Sequence, residues 1–246
     1  MSNSNKSPQD ITSTIYQYMP KEAEITRIEY EGPRISVHTK NYQFLSQNSQ
    51  IISDIVNAVK RRLVIRIDQS MRKSEKETTA ILNDKLPSDA KITNIYFDDA
   101  LGEVIVEAKE PFILNNNEVN LNELSALIGW KILVKKGSDL PSTSIKTINY
   151  VRNAESENRS QFYRQVGEEI FREKVVQGSS ISLLTLGGFN QVGRSCMLLT
   201  TQESKILLDC GILPNTKFPW DSYPRLDWAD FDINDIDAIV ISHAHL

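Results

Sequence analysis

Ile25-Thr26-Arg27-Ile28-Glu29-Tyr30 and, later in the chain, Ile92-Thr93-Asn94-Ile95-Tyr96-Phe97 are two versions of one segment. Pro20, Ile25, Ile28 and Tyr30 stand opposite Pro87, Ile92, Ile95 and Phe97 at one constant spacing, with a small offset only in the turn that follows. Before the first copy, Ile11, Ile15 and Tyr18 recur at helical spacing until Pro20 stops them. After it, a Glu31-Gly32-Pro33 turn leads into an alternating strand over residues 34–38. Ile51, Ile52, Ile55, Val56 and Val59 then mark one face of a helix ending near Arg62, and residues 64–67 form a further strand. The same order returns as a helix over 77–86, strands over 92–97 and 104–108, a helix over 121–128 and a strand over 131–134. The pattern predicts a duplicated unit of helix, hairpin, helix and strand.

Two small α/β units of this order resemble tandem KH domains, which hold single-stranded RNA with a Gly-x-x-Gly loop. Glycine serves there because a backbone without Cβ can press its N–H groups against phosphates. Neither expected loop carries it: residues 41–50 and Phe112-Ile113-Leu114-Asn115-Asn116-Asn117-Glu118 are glycine-free. Lys60-Arg61-Arg62, Arg66, Arg72-Lys73 and Lys135-Lys136 could supply salt-sensitive phosphate contacts, although a solvated charged face is the simpler account of such residues. No RNA-binding residue is assigned. His38, alone on its strand, is read as a packing or surface residue.

Gly137-Ser138-Asp139-Leu140-Pro141-Ser142-Thr143-Ser144 is the clearest domain joint. Beyond it Ile148, Val151, Phe162, Val166 and Ile170 suggest one long amphipathic helix, with Arg152, Glu155, Arg159, Arg164, Glu168 and Glu169 on a solvated face.

From Ile181 onward the texture changes to short apolar runs separated by tight turns, over residues 181–186, 196–199, 205–208 and 238–241. They read as buried strands, the first three close enough for an antiparallel meander and the fourth reached by a Pro- and Trp-containing excursion. The last strand runs into Ser242-His243-Ala244-His245. Side chains at i and i+2 of an extended segment point the same way, so two imidazoles could reach one metal ion. His-x-His alone is a weak motif. Its context is Leu207-Leu208-Asp209-Cys210-Gly211 and the glycine-rich Thr185-Leu186-Gly187-Gly188-Phe189-Asn190-Gln191-Val192-Gly193-Arg194-Ser195.

With that context, residues 181–246 resemble the opening of a metallo-β-lactamase domain, whose metal motif reads His-x-His-x-Asp-His, and the glycine-rich stretch is similar to the β-CASP nucleases. The whole arrangement resembles the archaeal cleavage-and-polyadenylation-specificity-factor-like ribonucleases of transcription termination. The resemblance implies an α+β chain of tandem KH-like units (1–68 and 69–137), a linker and helix (138–178) and the N-terminal part of a metallo-β-lactamase αββα sandwich (179–246). It implies that His243 and His245 bind the first of two Zn2+ ions, and that Asp209 orders the site without ligating. It further implies endonucleolytic and 5′-3′ exonucleolytic cleavage of nascent single-stranded RNA, contacts with RNA polymerase and elongation factors, and a homodimeric parent. The Asp and His that complete the motif would follow Leu246, so the 246-residue chain alone is expected to be inactive and to bind zinc weakly.

Composition agrees with a folded, cytoplasmic protein: 40% hydrophobic and 24% charged residues, without an apolar signal or membrane-spanning run. A net charge of -4 argues against a wholly basic nucleic-acid wrapper. Cys196 and Cys210 both lie in apolar runs and are read as buried, reduced thiols. Two other functions fit the sequence: a non-catalytic KH module that binds RNA or docks on a transcription complex, and a metallo-β-lactamase-fold hydrolase of small thioesters or lactams.

Overall fold

The computed structural model describes residues 8–115, 119–138, 142–172, 180–228 and 232–243. The chain divides into two compact units, Met1–Glu173 and Lys174–Leu246. The first contains the duplication. Its first copy is α1 (Pro8–Tyr18), β1 (Ile25–Glu31), β2 (Arg34–Thr39), α2 (Tyr42–Gln47), α3 (Ser49–Val59) and β3 (Arg62–Ile67). Its second is α4 (Glu75–Lys85), β4 (Ile92–Asp98), β5 (Glu103–Ala108), α5 (Pro111–Asn115), α6 (Leu121–Ile128) and β6 (Lys131–Lys136). Each copy forms a mixed three-stranded sheet, with the hairpin antiparallel and the third strand parallel to the second. A parallel neighbour needs a crossover, and the helices after each hairpin supply it.

The duplication reaches the backbone irregularities. The ladder slips between Ile25 and Arg27 in one sheet and between Ile92 and Asn94 in the other. Left-handed residues, Glu24 and Lys91, precede the two strands at matching places. The short helices α2 and α5 are absent from the sequence-based order. At six and five residues they are too short to display a helical period, and buried Tyr42, Leu45 and Leu114 hold them.

The first copy buries Ile11, Ile15, Ile35, Val37, Ile55 and Val59, and the second Leu82, Phe97, Val104, Val106, Leu124, Ile128 and Trp130. The expected single helix after the joint is two helices, α7 (Thr143–Ala154) and α8 (Ser156–Phe171), broken at Glu155. The packed face of α8 also differs from expectation. Phe162 and Ile170 are 61% and 53% exposed, whereas Phe171 joins the first core and stacks on Tyr30 with ring centroids 4.7 Å apart. Gly167 explains the choice. Any Cβ there would collide with Tyr30, so the bare helix backbone lies against β1.

Two charge clusters expected on solvated faces or against phosphate are internal instead. Arg66, 2% exposed, donates to Glu31 of its own copy at 2.7 Å and to Glu103 of the second. Asp98, 3% exposed, accepts from Arg152 of α7 at 2.8 Å and Arg159 of α8 at 2.9 Å. Arg72 pairs with Asp99 at 2.6 Å and lies over the Trp130 ring. Buried charge persists only when paired, and these pairs tie the two copies and the helix pair together.

The second unit holds β7 (Ser182–Gly187), β8 (Cys196–Thr200), β9 (Lys205–Leu208) and β10 (Ala238–Val240), in sheet order β10-β9-β8-β7. The first three strands are the expected meander, and β10 is parallel to β9. Leu186, Cys196, Leu198 and Leu207 form a small core. The expectation of uniformly buried strands fails, since Ile181, Leu183, Leu184, Ile239, Val240 and Ile241 are exposed. Among the described residues no helix is long and apolar enough to cross a membrane.

Candidate metal centre

Strands β9 and β10 run side by side and end together, with Ala238, Ile239 and Val240 paired to Ile206, Leu207 and Leu208. This parallel register places Asp209 next to Ser242, though 33 residues separate them in sequence. Asp209 takes a left-handed φ of 59°, and its N–H donates to the Val240 carbonyl at 2.8 Å. The turn aims its carboxylate at the other strand end. One oxygen accepts the Ser242 backbone N–H at 2.7 Å and the other accepts the Ser242 hydroxyl at 2.8 Å. Those two bonds, backbone first, hold the carboxyl below its ordinary range, helped by the nearby His243.

The Ser242 Oγ lies 2.8 Å from His243 Nδ1. A serine hydroxyl has one hydrogen, and here it goes to Asp209. The Ser242 oxygen must then accept, so Nδ1 of a neutral His243 carries the proton and Nε2 the lone pair. That polarity suits a metal ligand through Nε2, with a hydroxyl and a carboxylate behind it. The full donor set is not assembled among the described residues, where no three His, Cys, Asp or Glu side chains cluster. His245 lies outside the described residues. The structure thus brings Asp209 and His243 together through Ser242, a residue to which sequence reading assigned no role. Its signal was present, as a hydroxyl residue directly before the first histidine at a strand end.

The glycine-rich stretch builds the neighbouring wall. Gly188 has φ of +82°, and a Cβ there would stand 2.8 Å from the Ser195 Cα, so the β7–β8 connection closes tightly. Val192, Ser195, Gly211, Ile241 and His243 line a cavity of about 660 Å³ with Asp209. The cysteine expectation needs one correction. Both are free thiols, but only Cys196 is buried, where burial pushes its pKa up to about 12, while Cys210 is exposed.

The KH-like units offer a second surface. In the first copy α2 and α3 meet at the single residue Asn48, leaving no room for a four-residue clamp. A groove of about 670 Å³ lies between these helices and β3, and Asn122 and Lys131 of the second copy line it too. The corresponding connection in the second copy includes residues 116–118, outside the described set.

Residues 5–72 match the family model for the KH domain of transcription termination factor FttA, and residues 190–246 match the metallo-beta-lactamase superfamily. Curated proteins named transcription termination factor FttA align along almost the whole chain. The one from Cenarchaeum symbiosum is 45% identical over 98% of this chain and 38% of its own length. Those from Pyrococcus horikoshii and Methanothermobacter thermautotrophicus are 35% and 32% identical over 96% and 97% of the chain, and over 37% and 38% of their own lengths. The chain therefore spans well under half the length of the relatives it matches. Over nearly its entire sequence, it is a homologue of the archaeal FttA transcription termination factors, with a KH domain of their kind and a metallo-β-lactamase segment.

Proposed function

We propose that this chain is part of a zinc-dependent ribonuclease that cuts nascent single-stranded RNA in transcription termination, endonucleolytically and from the 5′ end. In this reading the KH-like unit brings RNA or the transcription machinery to the enzyme, and the second unit begins the metal site. The Asp209–Ser242–His243 relay is the observation that carries it. Asp209 fixes Ser242, Ser242 fixes the imidazole tautomer, and Nε2 of His243 keeps the lone pair that takes zinc, for which His245 is proposed as the second imidazole. When two zinc ions are bound they supply a low-pKa water and charge stabilisation at the scissile phosphate. Two imidazoles do not complete such a site, so the 246-residue chain by itself binds zinc weakly and does not cleave RNA. RNA polymerase contacts belong to the same proposal, on the strength of the relatives' name as transcription termination factors, and a homodimeric parent belongs to it on the family resemblance alone.

The test is cleavage of a uniform RNA by the longer protein that contains this chain, with bound zinc counted in parallel. His243→Ala is expected to abolish cleavage and lower zinc content. Undiminished cleavage in that variant, or cleavage indifferent to a zinc chelator, would sink the proposal. One observation favours a non-catalytic reading of the KH-like unit on its own: the glycine-free junction at Asn48 suits docking on protein better than clamping phosphate. A salt titration of RNA binding decides between them, since phosphate contacts weaken steeply with salt.

A further inference from the structure

The chain has two cysteines, and they meet across one strand pair. β8 and β9 are antiparallel, with Leu199 paired to Ile206, Leu198 to Leu207 and Met197 to Leu208. Continued unchanged, that register sets Cys196 opposite Asp209. Asp209 takes a left-handed φ of 59°, however, and beyond it the contacts run one residue out of step. Gly211 N–H donates to the Ser195 carbonyl and Arg194 N–H to the Ile212 carbonyl, both at 3.0 Å. A left-handed residue inserted into one strand of an antiparallel pair is a β-bulge. Asp209 is the inserted residue, and the shift brings Cys210 opposite Cys196.

Residues that face each other across antiparallel strands have Cα atoms about 4.5–5.5 Å apart, within the span of about 4.4–6.8 Å that a disulfide bridges. The side chains are close as well. Burial first, and then the neighbouring Cys210, push the Cys196 thiol up to about 12. Both cysteines are free thiols in quite different surroundings. Cys210 is exposed and lines the cavity of about 660 Å³, so a small reagent reaches its sulfur. Cys196 is buried among Leu186, Leu198 and Leu207, out of reach of the solvent but not of Cys210.

An exposed thiol is oxidised first, and the sulfenic acid it becomes condenses with a thiol at hand. We propose that Cys196 and Cys210 are a covalent modification site, a dithiol that a small peroxide converts reversibly to a disulfide. With hydrogen peroxide, the Cys210 sulfur attacks one oxygen and the O–O bond breaks. The departing hydroxide takes the Cys210 proton as water, which leaves the sulfenic acid. The Cys196 sulfur then forms the S–S bond as the S–O bond breaks, and the second hydroxide leaves with the Cys196 proton. Two thiols are oxidised and one peroxide is reduced to two waters. The new bond fastens to β8 the turn that carries Asp209, whose carboxylate holds Ser242. This chemistry uses no metal and stands apart from the ribonuclease reading.

The experiment treats the reduced 246-residue chain with stoichiometric hydrogen peroxide and follows thiol content and intact mass, before and after a dithiol reductant. With two cysteines in the chain, an intramolecular disulfide has one possible pairing. Loss of both thiols is expected, with a mass lower by two hydrogens and full recovery on reduction. Cys210→Ser, a change at an exposed position, is expected to consume peroxide about ten-fold more slowly or less, since the thiol that stays is buried and protonated. Cys196→Ala is expected to react as fast as the parent chain but to stop at a sulfenic acid that dimedone captures. A chain in which Cys210 gains oxygen while Cys196 remains a thiol, or in which two chains become linked instead, would overturn the proposal. So would unchanged peroxide consumption by Cys210→Ser.

Discussion

At the residue scale, the key group is a serine. Ser242 spends its one hydroxyl hydrogen on Asp209 and so decides which nitrogen of His243 carries a proton. On the zinc site proposed above, Ser242→Ala is expected to weaken zinc binding by about 10–100-fold, the usual cost of losing a group that orients a ligating histidine. Competition with a calibrated chelator measures it, and an unchanged affinity would remove Ser242 from the relay. His38 makes a separate prediction, with the sign fixed by its lowered folded pKa. The unfolded chain binds the proton more readily than the folded one, so stability from neutral His38 is present above about 6.5 and lost as pH falls toward about 4. Urea unfolding between those pH values should show a decline that His38→Gln largely removes. Asp209 and both histidines were legible as motif residues, whereas Ser242 was given no role. The relay was not, because it depends on β9 and β10 ending side by side.

At the element scale, the decisive contact is α8 on β1. Gly167→Ala would raise intrinsic helix propensity by roughly 1 kcal/mol, yet it places a methyl group against Tyr30. The collision wins, because overpacking costs about 1–3 kcal/mol and the backbones cannot part without uncovering Phe171. Denaturant melts should show net destabilisation, whereas a stabilised variant would mean that α8 does not rest on the sheet. Here periodicity misled. The stripe Phe162, Val166 and Ile170 is apolar at the proper spacing, but a glycine and a tyrosine are better able to seat a helix backbone on a strand. Strands of the duplicated unit were read within a few residues, since alternation and turn residues are local signals, while α2 and α5 left too few residues for any period.

At the scale of the molecule, the two copies are joined by Arg66 between Glu31 and Glu103, and the helix pair by Arg152 and Arg159 on Asp98. Arg66→Met would leave the largely buried Glu103 without its guanidinium and Glu31 with only the half-exposed Arg34, a loss of about 3–5 kcal/mol. The melt of the chain should shift down accordingly, and a shift below about 1 kcal/mol would class the pair with exposed ones. By sequence alone the protein was determined as a duplicated αββαβ pattern followed by a short-stranded sheet ending at a histidine pair, because hydrophobic period, turn residues and repeat spacing are written between near neighbours. Only the tertiary structure decided which charges are internal and which strand ends meet. Arg66 finds its carboxylates 35 and 37 residues away, and Arg159 finds Asp98 61 residues away. An isolated arginine in a sequence carries no record of a partner at that distance, because whether a charge is solvated or paired is settled only when the chain has folded around it.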